Sequence, residues 1–324
     1  MATGEHIKLL INAHYESEDR FRTRVLQIVA YEKDKGHIAL ARELKGIIDS
    51  QKKFFKKNIL NENNLSDLLK CSLSDTKLNE MVLNDKVVTK IQRLIKEYNS
   101  KEKLKKYGLK NRRKILLCGP PGTGKTMTAA VLANKLNLPL CVVMMEKMLT
   151  KYMGESGVKL RQIFDTIEEY QGVYLFDEFD AIGSDRNLDN DIGEIRRILN
   201  LFLQFIENDK SESIIIAATN NPKILDQALF RRFDDIIYYL KPEKLEVIKL
   251  IKNKIVEFKD KNINFDLVGE KAEGLSFADI TKICNDSIKE MILDNKEYIT
   301  EELLLKHIKE KKMEYLKGEG VDES

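Results

Sequence analysis

Lys114-Ile115-Leu116-Leu117-Cys118-Gly119-Pro120-Pro121-Gly122-Thr123-Gly124-Lys125-Thr126 is the stretch on which the fold turns. An apolar strand runs into Gly119-x-x-x-x-Gly124-Lys125-Thr126, and helix-forming residues follow from Met127. Strand, loop and helix in that order are the context a phosphate-binding P-loop requires. The glycines let the backbone curl so that successive N–H groups point inward at phosphate oxygens. The following helix adds the positive end of its dipole. Pro121, Gly122, Thr123 and Gly124 form the cradle, Lys125 can reach the outer phosphates, and the Thr126 hydroxyl can ligate Mg2+. The reading is a site for a nucleoside triphosphate.

A second element adds chemistry. Val173-Tyr174-Leu175-Phe176-Asp177-Glu178 is a short apolar run ending in two carboxylates, as expected of a parallel strand buried on both faces. Ligands of such sheets lie beyond the carboxyl ends of the strands, which brings Asp177 beside the P-loop. Asp177 can hold Mg2+ through its water shell, and Glu178 can polarise a water for attack on the γ-phosphate.

Working outward, the pattern is an alternation of helix and strand. Further strands are expected at Leu140–Met144, Val173–Phe176, Ser213–Thr219 and Asp235–Leu240, with helical segments between. The predicted fold class is α/β: a five-stranded parallel sheet covered on both faces. After Pro242 the strands stop. Leu245, Ile248, Ile251 and Ile255 mark one buried helical stripe, and Ser276 with Asp279 opens a second helix as a capping-box variant. A last helix spans about Thr300 to Tyr315. Upstream, three stripes at helical spacing (Ile7, Leu10, Ile11; Phe21, Val25, Ile28, Val29; Ile38, Ala41, Leu44, Ile48) give a small helical module broken at Gly36. The expected organisation is a helical module over 1–57, an Asn- and Ser-rich linker over 58–77, an α/β domain over 78–240, a helical lid over 241–316 and a disordered tail over 317–324.

Composition sets bounds. The chain has 324 residues, enough for two or three domains. Lys+Arg 55 against Asp+Glu 52 leaves a net charge of only +3, which argues against a nucleic-acid partner. The basic, aromatic run Gln51–Lys57 reads as a helix end with solvated lysines. Cys71, Cys118, Cys141 and Cys284 have no paired spacing, so neither a disulfide framework nor a zinc site is expected. No signal-peptide pattern and no membrane-length apolar run occurs, and the expectation is a soluble, reduced, cytoplasmic protein.

With these residues in view, the segment from about Leu78 to about Ile292 resembles the AAA family of ATPases. Gly119–Thr126 resembles the family's Walker A, and Phe176–Ile182 (FDEFDAI) its Walker B. Ile214–Pro222 (IIIAATNNP) resembles the strand carrying the sensor-1 residue, here Asn220. Leu225–Asp234 (LDQALFRRFD) resembles the arginine-finger segment, and Gly274–Asp279 (GLSFAD) the turn where the lid approaches the nucleotide. The resemblance implies an ATPase using ATP and Mg2+, working as a homo-oligomeric ring, usually a hexamer, with each site completed by the neighbouring subunit. It implies that Asn220 orients the attacking water or touches the γ-phosphate. Arg231 and Arg232 would offer positive charge to the adjacent subunit's phosphates. The two arginines are adjacent here, whereas many members separate them with Pro-Gly, which leaves open which one reaches across. Arg196 and Arg197 are further candidates for a subunit boundary.

Leu149-Thr-Lys-Tyr-Met-Gly-Glu-Ser156 resembles the family's central-pore loop, so Tyr152, Met153 and Gly154 match its aromatic–hydrophobic–Gly pattern. A ring and a flexible thioether can grip an extended chain without reading its sequence. The resemblance thus implies remodelling, unfolding or threading of a protein substrate, with a partner docking on residues 1–57. Degradation, where it follows, would need a separate protease. The alternative is an ATP-dependent switch or scaffold regulating a partner protein.

Overall fold

The computed structural model describes residues 4–16, 18–44, 67–148, 155–180, 191–225, 227–258, 260 and 262–318. The chain forms two compact units, Met1–Ser66 and Asp67–Ser324. In the first, the helices Gly4–Glu16 and Glu18–Asp34 pair, Gly36 turns the chain at φ 82°, and residues 38–44 are again helical. Ile28 and Ala41 are buried there, while Ile7, Ile11 and Ile38 of the expected stripes are exposed.

The second unit is built on a six-stranded sheet of order β1-β3-β4-β5-β2-β6. The strands are β1 Leu69–Ser72, β2 Lys114–Cys118, β3 Leu140–Val143, β4 Val173–Phe176, β5 Ile214–Thr219 and β6 Asp235–Tyr238. The five strands β2 to β6 are mutually parallel, as the continuous apolar runs require, since β4 and β5 are buried at every position. One face packs on the helices Asp85–Asn99 and Lys125–Lys135 through Ile91, Leu94, Leu132 and the β2 side chains. The other carries an aromatic cluster in which Phe164, Phe176, Phe179 and Phe202 stack, tilt or meet edge-on at 4.6–5.9 Å between ring centroids.

β1 corrects two expectations. It lies within the stretch read as a linker, and it adds a sixth strand, antiparallel to β3, at the sheet edge. Its signal is a bare four-residue alternation, with Leu69 and Cys71 inward and Lys70 and Ser72 outward, inside a turn-prone composition. The register sets Cys71 directly opposite Cys141, and the two are disulfide-bonded with Cα atoms 4.1 Å apart. Sequence spacing predicted no such pair, because a separation of 70 residues carries no local signal; only the strand register creates it. Cys118 and Cys284 are free and buried.

After β6 the helices Lys244–Lys254, Phe265–Lys271, Phe277–Leu293 and Glu301–Gly318 pack around their own core of Leu250, Ile251, Ile280, Ile283, Leu304 and Ile308. The last helix runs through Gly318, two residues into the segment expected as a disordered tail; residues 319–324 lie outside those described. Val82, from the segment before the first sheet helix, enters this helical core, while Leu83 beside it packs on the sheet core. Among the described residues no helix is long and apolar enough to cross a membrane.

Candidate active site

Three glycines bend the loop after β2 into a cradle. Gly119, Gly122 and Gly124 have φ of 151°, 71° and 98°, a region that L side chains rarely occupy. Two of them are also needed for space. A Cβ on Gly119 would lie 2.3 Å from the Tyr239 carbonyl oxygen, and one on Gly122 would lie 2.5 Å from Ser276 Oγ. The Thr123 hydroxyl donates to the Pro120 carbonyl at 2.7 Å and closes the loop from within. Gly124 then caps the helix Lys125–Lys135.

Lys125 is the electrostatic centre. It is buried, and its ammonium donates to Gly119 O at 2.7 Å, Pro120 O at 2.8 Å and Asn220 Oδ1 at 2.8 Å. Burial lowers its pKa, against the attraction of Asp177 and Asp180. All three hydrogen-bond acceptors are neutral, so a buried cation stands where an anion can neutralise it. Neutral oxygens around a lysine at a helix N-terminus, in a glycine cradle that a Cβ would fill, suit the phosphates of a nucleotide.

Thr126 and Asp177 meet as the strand logic requires. The Thr126 hydroxyl donates to Asp177 Oδ2 at 2.6 Å, and the Glu178 backbone N–H donates to Asp177 Oδ1 at 2.9 Å. A hydroxyl and a carboxylate side by side are hard oxygen donors of the kind Mg2+ takes, and the pair fits that ion. Glu178 is exposed, with φ at 51°. A non-glycine residue in that region costs about 1 kcal/mol or more, and such strain collects at functional sites. Here Phe179 N–H donates to Ala218 O at 2.8 Å and ties the turn to β5.

Asn220 stands at the end of β5, its amide oxygen on Lys125 and its backbone N–H donating to Asp180 Oδ1 at 3.2 Å. Sequence reasoning missed Asp180 as the residue fixing this backbone. It also missed the wall supplied by the helix Phe277–Leu293, whose Thr281, Lys282, Asn285, Asp286 and Lys289 line a cleft of about 670 Å³ with the P-loop, Asp177, Glu178 and Asn220. These residues repeat at helical spacing toward one face; the sequence reading brought the turn Gly274–Asp279 toward the nucleotide but named none of the residues beyond it. Met81 and Leu83 lie against Gly124 as an apolar flank. Nothing in their local sequence marks that role.

Arg231 and Arg232 are not brought to this site. Both are exposed, and they precede Asp234, whose carboxylate accepts from the backbone N–H groups of Arg113 and Lys114 at 2.9 Å, at the start of β2. The P-loop leaves the other end of β2, about 13 Å further along the strand. Arg232 donates to Glu207 Oε1 at 2.7 Å. Arg197 is exposed on the helix Asp191–Asn208, and the side chain of Arg196 lies outside those described. Tyr152, Met153 and Gly154 also lie outside the described residues.

A glycine cradle between a parallel strand and a helix, a buried lysine, and a threonine–aspartate pair at the neighbouring strand end define a P-loop nucleoside triphosphatase. Residues 115–240 match the family described as "ATPase family associated with various cellular activities (AAA)". The chain is 34% identical over 310 residues to the uncharacterized AAA family ATPase y4kL of Sinorhizobium fredii (strain NBRC 101917 / NGR234), covering 93% of each chain. It is 34% identical over 215 residues to a proteasome-activating nucleotidase of Thermococcus onnurineus (strain NA1), 64% of this chain and 54% of that one. Similarity to the ATP-dependent zinc metalloprotease FtsH 2 of Thermoanaerobacter sp. (strain X514) is 31% over 226 residues, 67% of this chain and 44% of that protein. The chain thus spans about half of these last two relatives. The protein belongs to the AAA family, and it is an ATPase.

Proposed function

We propose that the protein hydrolyses ATP as a homo-oligomeric ring, a hexamer by family likeness, and uses the cycle to remodel a protein substrate. The observation that carries the proposal is the position of Arg231 and Arg232. They sit at the opposite end of β2 from the P-loop of their own chain, exposed, anchored through Asp234. Guanidinium groups so placed can serve a phosphate only in a second copy. The relatives point the same way in their names, one a nucleotidase that activates a proteasome and another an ATP-dependent protease.

In this reading the backbone N–H groups of Gly122–Thr126 hold the phosphates. Lys125 gives up its neutral acceptors for phosphate oxygens, which releases the Asn220 amide toward the attacking water. Glu178 accepts the proton of that water. Mg2+, held through Thr126 and Asp177, would neutralise charge on the outer phosphates. An arginine from the next copy stabilises the charge that grows as the phosphoryl group leaves. Tyr152, Met153 and Gly154 would grip the substrate, and any proteolysis would belong to a partner.

The test is the mass of Glu178→Gln by light scattering on a sizing column, with and without ATP and Mg2+. The ring reading expects a nucleotide-dependent shift to about six subunits. A monomer that binds ATP and stays monomeric overturns the ring and favours a switch.

A further inference from the structure

The nucleotide cleft is connected to the far end of the chain by an unbroken series of contacts. Asp279 is buried, and its Oδ2 accepts from Ser276 N–H at 2.9 Å, from Ser276 Oγ at 2.7 Å and from the Tyr315 hydroxyl at 2.9 Å. Lys311 Nζ stands 3.7 Å from Asp279 Oδ1. Burial alone would raise the Asp279 pKa, but these donors outweigh it and hold the carboxyl below its ordinary value. On its other side Ser276 faces the P-loop. Its Oγ fills the space that a Cβ on Gly122 would need, and the Ala278 N–H donates to Gly122 O at 3.1 Å. Tyr315 and Lys311 therefore reach the phosphate cradle through Asp279 and Ser276.

A helix cap does not require this arrangement. The reciprocal bonds between Ser276 and Asp279 already complete the capping box. Among the described side chains of the helix Glu301–Gly318 the last buried one is Ile308, so Lys311 and Tyr315 lie beyond the part held by the core. Lys311 and Tyr315 attach those turns to Asp279 instead. We propose that Tyr315 and Lys311 are positioning residues for nucleotide binding: docking of the C-terminal turns sets Ser276 against Gly122 and so fixes the cradle and the lid that faces it. Coupling of this kind is reciprocal, so nucleotide tightens the docking by the factor by which docking tightens nucleotide. The inference rests on the nucleotide site proposed above and is independent of ring assembly.

The experiment uses the full chain. Affinity for a non-hydrolysable ATP analogue with Mg2+ is measured in wild type, Tyr315→Phe, Lys311→Met, Ser276→Ala and the Ser276→Ala/Tyr315→Phe double variant. Hydrogen exchange of residues 309–316 is followed with and without the analogue. Loss of the phenolic hydroxyl should weaken binding about fivefold, the scale of one partly exposed hydrogen bond to a carboxylate. Lys311→Met should act in the same direction. The analogue should slow exchange of the C-terminal turns in wild type, and less so in Tyr315→Phe. With the middle link gone, Tyr315→Phe should add nothing to Ser276→Ala. A purely structural helix end would leave nucleotide affinity and the nucleotide dependence of exchange unchanged, and that result overturns the proposal. Wild-type protein that fails to bind the analogue overturns the nucleotide site itself.

Discussion

Gly122 and Gly108 provide a matched pair of perturbations. Both have φ of 71°, yet a Cβ on Gly108 meets nothing within 4 Å, whereas one on Gly122 meets Ser276 Oγ at 2.5 Å and Ala278 Cβ at 3.0 Å. Replacing either by alanine incurs the left-handed backbone cost, about 1–2 kcal/mol. Gly122→Ala adds two further costs. Ser276 Oγ must leave the Asp279 amide and carboxylate, breaking a capping box worth about 1 kcal/mol. The remaining overlap with Ala278 belongs to the overpacking range of about 1–3 kcal/mol. The difference between the variants should therefore be about 2–4 kcal/mol. It can appear in one of two ways. If the lid helices stay docked, the urea midpoint of Gly122→Ala falls well below that of Gly108→Ala. If the lid swings away to relieve the overlap, stability is spared and affinity for Mg2+-ATP falls by about two orders of magnitude. Urea titration and nucleotide binding on the same samples cover both. Equal behaviour of the two variants in both assays would refute the contact between P-loop and lid on which the site description rests.

Other perturbations separate the remaining roles. Glu178→Gln should bind ATP normally and turn it over at least about a hundredfold more slowly, as removal of a general base does; unimpaired turnover in a phosphate-release assay would remove Glu178 from that role. Arg231→Ala and Arg232→Ala should leave nucleotide affinity intact and lower turnover. The larger loss is expected for Arg231→Ala, because Arg232 is engaged by Glu207. Glu212 gives a pH signature. Hydrogen bonds from Lys101 and then Lys105 hold its carboxyl down to about 2, from 4.5. A folded pKa below the unfolded one means stability present above about pH 4.5 and lost as the pH falls toward 2. Glu212 is about half exposed, so the loss is about 1 kcal/mol, and Glu212→Gln should flatten the fall in urea midpoint over that window.

What could be read in the sequence divides along a physical line. Lys114–Thr126 and Val173–Glu178 were legible because their signals are local: an apolar strand, glycines where φ turns positive, carboxylates at a strand end. The parallel sheet followed from apolar runs too continuous for a half-exposed strand. The rest depended on contacts between distant residues. β1 hid in an Asn- and Ser-rich stretch because four alternating residues become a strand only when β3 lies beside them, and the Cys71–Cys141 pair exists only in that register. Asp180 under Asn220, Glu207 on Arg232 and Tyr315 on Asp279 join positions 40, 25 and 36 residues apart, with no periodicity to announce them. The adjacency of Arg231 and Arg232 was plain in the sequence. Their distance from their own P-loop became visible only with β2 and β6 paired and Asp234 anchored to the start of β2.

That distance makes the composite site the central claim, and subunit complementation tests it most directly. Lys125→Ala removes one copy's own nucleotide site and keeps its arginines. The double variant Arg231→Ala/Arg232→Ala keeps the site and removes the arginines. Each alone should be nearly inactive as an ATPase. Mixed in equal amounts, they should regain a substantial fraction of wild-type turnover, because an arginine-bearing neighbour completes each intact site. A mixture no more active than the sum of its two parents, under conditions where the copies are shown to co-assemble, would contradict the claim that one subunit's arginines serve the next subunit's ATP.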